Sequence, residues 1–210
     1  MEEEVSMKKC LLFIPTVFLS LLLFQCETGS KYDLPDQVHG IISDDQLDQL
    51  IEHGLVINEG SNPPNIEGVY IGDSLICTYD SDGDFEGTVL QEYYYRIENQ
   101  TSQNTADFSY RTGSGSSEAL GKDSFISGSD QDFTLFAEVE GTSYGDPDIQ
   151  FRQVKIYSGT LTTGGLAHWG YGFVLTYKSD DPEGRMMAVN DHRVFIEQDD
   201  LAANATWPVF

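Results

Sequence analysis

From Ile66 onward, apolar and polar residues alternate along most of the chain. In four stretches, every second side chain is apolar and those between are mostly polar, a period typical of half-buried β-strands. The apolar sets are Val89, Tyr93, Tyr95 and Ile97; Ala106, Phe108 and Tyr110; Phe133, Leu135, Ala137 and Val139; and Trp169, Tyr171, Phe173, Leu175 and Tyr177. Because one face is apolar and the other mostly polar, the pattern indicates antiparallel strands with one buried and one solvated face.

Turn residues separate these strands at short intervals, for example at Asp82-Gly83, Gly164-Gly165 and Asn190-Asp191. After Pro64, the chain has no helical stripe long enough to connect parallel strands. We therefore predict a mainly β domain, an up-and-down antiparallel meander of about eight to ten strands. A meander of this length hides its edges by closing into a barrel or, as the alternative, by folding into a β-sandwich.

One short α-helix is expected ahead of the meander. Ser43 and Gln46 have the spacing of a capping box, in which the Ser43 hydroxyl accepts a hydrogen bond from the Gln46 amide. Leu50 belongs to a narrow apolar stripe, and Gly54 is placed to end the helix in a left-handed cap. The pattern predicts a helix over residues 44–53.

The strand that includes residues 149–156 departs from simple alternation. Its apolar phase changes between Phe151 and Val154. An extra residue in one strand produces such a change, so we predict a β-bulge near Arg152 and Gln153.

The N-terminal segment has the layout of a secretory signal. Lys8 and Lys9 precede 15 uncharged and almost wholly apolar residues, and Cys26 follows shortly afterwards. A basic region before a short apolar region is the pattern of a signal peptide. The apolar run is shorter than the roughly 20 residues that comfortably span a bilayer, so an exported protein is the better interpretation.

Leu23-Phe24-Gln25-Cys26 resembles the lipobox of bacterial lipoproteins, in the looser form seen in Bacteroidota. The resemblance implies cleavage before Cys26, acylation of that cysteine, and anchoring in the lipid bilayer of the cell envelope, in the outer membrane. Residues 27–40 are polar and lack periodicity, which favours a tether.

The predicted organisation has four parts. They are a signal peptide over residues 1–25, the lipidated cysteine and tether over 26–40, the capped helix and a Pro-rich connector over 41–65, and the antiparallel β domain over 66–210.

Charge and cysteine content narrow the function further. The formal net charge of −24 opposes binding to phosphate backbones, so we expect no nucleic-acid partner. Of the three cysteines, Cys10 lies in the signal and Cys26 is expected to be acylated, which leaves Cys77 without an intramolecular disulfide partner. Cys77 lies in a strand-like run, and we interpret it as a small buried hydrophobic residue.

A short helix ahead of a long meander, with Gly68-Val69-Tyr70 near the first strand, resembles the lipocalin or calycin superfamily, whose motif there is Gly-x-Trp. The order of lipobox, acidic helix, Asn-Pro-Pro, Ile-x-Gly-x-Tyr and Gly-rich hairpins is similar to that of a group of lipocalin-like lipoproteins of Bacteroidota. This resemblance implies a closed barrel and a compartment, but no reaction.

Catalytic motifs are absent from the sequence. It contains no His-Glu-x-x-His, no Gly-x-Ser-x-Gly and no phosphate-binding Gly-rich loop, and we predict neither enzymatic activity nor a cofactor. Asp80, Asp82, Asp84 and Glu86 are the one candidate metal set, since alternate carboxylates could converge on calcium. We favour the simpler interpretation of an ordinary Asp- and Gly-rich hairpin, so no metal is predicted and calcium is kept as an alternative.

The candidate ligand-binding residues are aromatic and share one strand face each: Tyr93, Tyr95, Trp169, Tyr171 and Phe173. Inside a barrel, they could hold a small hydrophobic or amphipathic molecule, or they could fill the core themselves. Gly170 and Gly172 occupy the opposite face, which indicates that another element approaches closely or that the strand bends.

Three functions remain open on this basis. The first is a lipid-anchored lipocalin-like barrel that binds a small hydrophobic molecule. The second is a non-catalytic accessory subunit of an outer-membrane complex, which binds protein or glycan, and the third is an enzyme with dispersed carboxylates.

Overall fold

The computed structural model describes residues 31–90 and 92–209, in which two short helices precede a single antiparallel sheet. The helices are α1 (Asp36–Ile41) and α2 (Asp44–Glu52). The strands are β1 (Gly68–Gly72), β2 (Leu75–Asp80), β3 (Val89–Leu90), β4 (Tyr93–Glu98), β5 (Thr105–Thr112), β6 (Ser117–Ser129), β7 (Asp132–Ser143), β8 (Ile149–Thr162), β9 (Gly165–Lys178), β10 (His192–Glu197) and β11 (Leu201–Asn204). The mainly β prediction is confirmed.

The sheet closes on itself because β11 pairs with both β1 and β9. Tyr70 lies opposite Asn204 on one side of β11, and Ala167 lies opposite Leu201 on the other. The hydrogen-bonded ring runs β11-β1-β4-β5-β6-β7-β8-β9 and returns to β11. This continuous ring is the closed, barrel-like form of the predicted meander.

The count of 11 strands exceeds the predicted eight to ten because three long strands are interrupted. β1 and β2 follow one another along the chain, and so do β3 and β4, and β10 and β11. The two halves of each interrupted strand face the same long neighbours. β1 pairs with β4 and β11, and β2 pairs with β3 and β10, which are the other halves of those neighbours. When each interrupted pair is counted as one strand, the barrel has eight long strands in an up-and-down order.

Aromatic side chains fill much of the interior. Tyr95, Tyr157 and Trp169 are fully buried, and the Tyr95 and Tyr157 rings lie 5.1 and 5.2 Å from the Trp169 ring. The apolar sets predicted from alternation belong to this inner core or pack against it, except Val89 and Tyr177, which are exposed. Contacts between such rings add stabilisation to that of the buried area.

A second apolar cluster lies on the outside of the barrel, where the two helices cover the sheet. Its members are Leu34, Val38, Ile42, Leu47, Leu50, Leu55, Phe136, Val154, Ile156, Val174 and Val194. The outer faces of β7 to β10 are thus buried in part, and the expectation of one solvated face fails there. This layer gives the helices their apolar partner.

Helix α2 confirms the predicted capping box. The Gln46 amide donates to the Ser43 hydroxyl at 3.3 Å, and the Ser43 amide donates to the Gln46 side-chain oxygen at 3.2 Å. A Cβ on Gly172 would lie 2.9 Å from Cδ2 of Leu50, so a glycine permits the helix to approach the sheet. Of the two explanations offered for that glycine, close approach is correct.

Helix α1 was not predicted, and it lies in the segment interpreted as a tether. Leu34 and Val38 are buried against the outer cluster, so the chain is packed from Leu34 onward. Leu34, Val38 and Ile42 are spaced four residues apart, on and beside α1, and all three belong to the outer cluster. The predicted signal peptide and Cys26 lie outside the described residues.

The predicted irregularity near Arg152 and Gln153 is confirmed, but the extra residue lies on the neighbouring strand and the reason given for it is wrong. The β8–β9 register does shift at the predicted place, but Arg152 pairs with Tyr177 and Gln153 with Leu175, so the extra residue is Thr176 on β9. Pairing of β8 with β7 continues without interruption through the same residues.

The apolar phase of β8 does not change at all. Phe151 and Tyr157 belong to the inner core, and Gln153 and Lys155 face the interior between them. Val154 and Ile156 are apolar because the outer cluster covers them. Two polar side chains therefore point into the barrel.

Candidate functional site

A cavity of about 250 Å³ occupies the end of the barrel where β8 begins and β9 ends. We refer to it as the mouth cavity. Ser116 and Arg185, both exposed, are among its lining residues, so the cavity reaches the surface. Its inner wall consists of Tyr93, Tyr110, Phe151, Gln153, Lys155, Tyr171, Phe173 and Phe195.

Lys155 places its amine among three ring faces in this cavity. The Nζ atom lies 4.4 Å from the ring centroid of Tyr110, 4.8 Å from that of Tyr171 and 4.7 Å from that of Phe173. We refer to these three rings as the aromatic cage. Only 3% of the residue is exposed, so the surrounding side chains fix the position of the amine.

The amine has no counter-ion or hydrogen-bond partner within residues 31–90 and 92–209. Burial lowers the pKa of Lys155 to about 7, because a charged amine loses its hydration there. The ring faces act in the opposite direction, since they attract a cation. Near neutral pH, the site therefore offers both an ammonium donor and a neutral amine.

Gln153 is the second polar side chain of the inner wall. It is 5% exposed, and its Oε1 atom has no hydrogen-bond partner in the described part of the chain. An unpaired buried polar atom costs about 1–3 kcal/mol unless water or a ligand completes it. An apolar cavity with a few convergent polar groups is the usual form of a small-molecule site.

Arg193 is a further cation at the mouth cavity, but it is neutralised. Its Nε atom lies 2.9 Å from Oδ1 of Asp80, whose side chain is fully buried. The guanidinium also stacks over Phe85, with its central carbon 4.3 Å from the ring centroid. The third cation that lines the cavity, Arg185, donates to the backbone carbonyls of Tyr144 and Pro147. Of the three cations, Lys155 is the one whose amine has no partner in the described part of the chain.

The pairing of Asp80 bears on the calcium alternative. Asp80 binds Arg193 and also accepts a hydrogen bond from the Phe85 amide at 2.9 Å. In the described part of the chain, the carboxylates that come within 4.8 Å as a group of three are Asp73, Glu197 and Asp199. The predicted set of Asp80, Asp82, Asp84 and Glu86 is not brought together in this way.

The predicted aromatic residues divide between the cavity and the core. Tyr93, Tyr171 and Phe173 line the mouth cavity. Tyr95 and Trp169 lie deeper, are fully buried and fill the barrel themselves. Burial raises the pKa of Tyr93 to about 12, so its phenol remains protonated and neutral at the cavity wall.

Lys155 and Gln153 are the polar residues of the inner wall that sequence reasoning missed, and Tyr110 was not predicted for the site either. The sequence could have identified them, because they lie at every second position between Phe151 and Tyr157 and therefore share one face of the strand. Apolar Val154 and Ile156 at the other parity concealed it, since both faces of β8 are buried.

Residues 181–187 form a rim segment beside the cavity, and Asp181 organises it. The Asp181 carboxylate accepts hydrogen bonds from the Arg185 amide at 2.8 Å, the Met186 amide at 3.0 Å and the Lys178 amine at 2.9 Å. The Met186 amide and then the Lys178 amine lower the pKa of Asp181 to about 2. The base of the rim segment is therefore held by charge-assisted bonds.

Arg185 joins the rim segment to the loop between β7 and β8. Its guanidinium donates to the backbone carbonyls of Tyr144 and Pro147. Met186 and Met187 on the same segment line the cavity. These contacts place flexible apolar side chains at the entrance.

Glu197 is a second buried ionisable group, outside the mouth cavity. Its Oε1 atom accepts from the Ser74 amide at 2.8 Å, and Oε2 has no partner in the described part of the chain. Burial, with smaller contributions from the Asp199 and Asp73 charges, raises the pKa of Glu197 to about 7. The barrel thus holds one basic and one acidic group that both titrate near neutrality.

No family model matches the chain, and neither a curated protein nor a solved structure shows significant similarity to it. Within residues 31–90 and 92–209, none of the helices has the length and apolar character to cross a bilayer.

Proposed function

We propose that this protein is a lipid-anchored envelope protein, with a lipocalin-like barrel, that binds a small amphipathic molecule in the mouth cavity. One observation carries the proposal, namely that the buried Lys155 amine is unpaired within an aromatic cage, in a cavity that reaches the surface. A structural lysine with no other role would be expected to have an acidic partner, since buried charges are normally paired.

The shape and chemistry of the cavity define the ligand class. The cavity has the space of roughly eight water molecules, so the bound part of the ligand is small. Rings and methionines favour an apolar body, whereas Lys155 and Gln153 favour a head that carries oxygen. A short-chain carboxylic acid is the simplest molecule with both properties.

The membrane anchor is proposed from the sequence alone. The lipobox-like segment ending in Cys26 supports acylation and attachment to the envelope. Labelling with radioactive palmitate, followed by membrane fractionation, tests it: Cys26→Ser is expected to lose the label and release the protein. Unchanged attachment of that variant would reject the anchor while leaving the binding proposal intact.

Binding can be tested with three molecules that differ only in the head group: hexanoate, hexanol and hexylammonium. We expect hexanoate to bind best and hexylammonium worst, as measured by titration calorimetry at pH 6.5. Lys155→Met keeps the length and apolar surface of the side chain, and it is expected to weaken hexanoate binding by about tenfold, the value of one charge-assisted hydrogen bond.

Lys122→Met is the matched control, because Lys122 is exposed and lies outside the cavity. It removes the same charge from the protein and should leave hexanoate binding unchanged. The alternative function, an accessory subunit with a closed interior, predicts no heat with any of the three molecules.

A further inference from the structure

We infer that Lys155 captures small aldehydes in the mouth cavity as a reversible imine. This inference rests on the proposed function, because the aldehyde must enter the same cavity. It goes further in assigning a covalent step and a substrate class to a specific atom, Nζ of Lys155.

Geometry makes Lys155 different from the other described lysines. Lys31 is exposed and pairs with Asp48 at 2.7 Å, and Lys178 pairs with Asp181 at 2.9 Å. Lys122 is exposed to solvent. Lys155 alone among them has an amine that is buried, unpaired and adjacent to a cavity.

Desolvation also favours nucleophilic behaviour. An amine attacks a carbonyl only in its neutral form, and the burial that lowers the pKa of Lys155 to about 7 keeps much of it neutral at that pH. An exposed lysine with an ordinary pKa near 10.4 is almost entirely protonated under the same conditions.

The step balances without an oxidant or reductant. The nitrogen lone pair forms a bond to the carbonyl carbon, the C=O π pair moves to oxygen, and a proton passes from nitrogen to that oxygen. Loss of water then breaks the carbon–oxygen bond and leaves the C=N bond. Amine and aldehyde are thus converted into imine and water, and hydrolysis reverses the reaction.

The cavity wall suits both states of the product. The aromatic cage of Tyr110, Tyr171 and Phe173 can stabilise a protonated imine through the ring faces. The unpartnered Oε1 of Gln153 can accept a hydrogen bond from the hydroxyl of the tetrahedral intermediate.

Trapping with a mild reductant tests the inference. The purified protein is incubated with hexanal and cyanoborohydride at pH 7, and modified lysines are located by peptide mass spectrometry. We expect Lys155 to be alkylated at least about tenfold faster than Lys122 or Lys178, because of its larger neutral fraction. Excess hexanoate should slow the reaction at Lys155 only.

Variants separate this inference from the proposed function. Lys122→Met should retain the fast reaction, and Lys155→Met should lose it. Hexanoate binding without preferential alkylation of Lys155 would overturn imine capture and leave the proposed function standing. Absence of both would overturn both. The distribution of adducts in the unaltered protein decides the point even if Lys155→Met does not fold.

Discussion

The amine of Lys155 lies 4.8 Å from the ring centroid of Tyr171 and has no acidic partner in the described part of the chain. Arg193, at the same end of the barrel, is paired with a buried Asp80. Arg193 is therefore part of the scaffold, and Lys155 is left available. That difference is the physical basis of the proposals above.

Stability should rise with pH above neutrality because of Lys155. Its folded pKa of about 7 lies below the unfolded value, so between pH 7 and 8.5 the unfolded chain binds more protons than the folded one. The free energy of unfolding then increases with pH, by at most about 1.4 kcal/mol per unit.

Urea titrations across that interval measure the slope. Lys155→Met is expected to abolish the Lys155 contribution, whereas Lys122→Met is expected to keep it. Equal slopes in the two variants would show that the amine is hydrated in the folded protein.

Glu197 should give a pH dependence of opposite sign in a lower range. Its folded pKa of about 7 lies above the unfolded value, so between pH 4.5 and 7 the folded protein binds more protons and loses stability as pH rises. The loss should be below about 1.4 kcal/mol per unit. Glu197→Gln is expected to remove this slope in urea titrations, and Glu138→Gln, at an exposed position, is the control. Persistence of the slope in Glu197→Gln would refute the assignment.

Gly172→Ala should destabilise the junction of α2 with the barrel. The added Cβ would lie 2.9 Å from Cδ2 of Leu50, so the buried Leu50 side chain or the helix must shift, at a cost of about 1–3 kcal/mol. Gly164→Ala is the matched control, because the nearest atoms to its Cβ lie 3.9 Å away. Comparable urea midpoints for the two variants would contradict tight packing of the helix.

Arg185→Ala should speed ligand exchange. The substitution removes the hydrogen bonds from Arg185 to Tyr144 and Pro147 that fasten the rim segment. Loss of one or two such bonds is expected to raise the dissociation rate of hexanoate about two- to tenfold. Line-shape analysis by NMR measures the rate. Arg152→Ala, at an exposed ion pair with Glu140, should leave it unchanged.

Local sequence patterns predicted the fold well where one face of a strand is solvated or where a helix begins with a capping box. The alternation of Tyr95 and Ile97 with Arg96 and Glu98 placed the two apolar side chains inside the barrel, and Ser43 marked the start of α2. Closure of the ring could not be read in this way, because the pairing of β11 with β9 depends on residues such as Ala167 and Leu201 that are far apart in sequence.

The candidate site was only half predictable for a related reason. Tyr171 and Phe173 follow the period of the interior, so aromatic residues of the cavity were found. Lys155 was missed because Val154 and Ile156 are buried on the opposite face, where helices cover the sheet. A strand that is buried on both faces does not alternate between apolar and polar residues, so its sequence does not identify the inner face.

The most direct test of the account observes the Lys155 amine itself. NMR spectra of the protein with ¹³C at the lysine ε-carbons, assigned with Lys155→Met, report its titration and its contact with added hexanoate. The account predicts that the Lys155 signal titrates near pH 7 and shifts when hexanoate binds. A Lys155 signal that titrates near 10.4, or that stays unchanged while hexanoate binds, would contradict it.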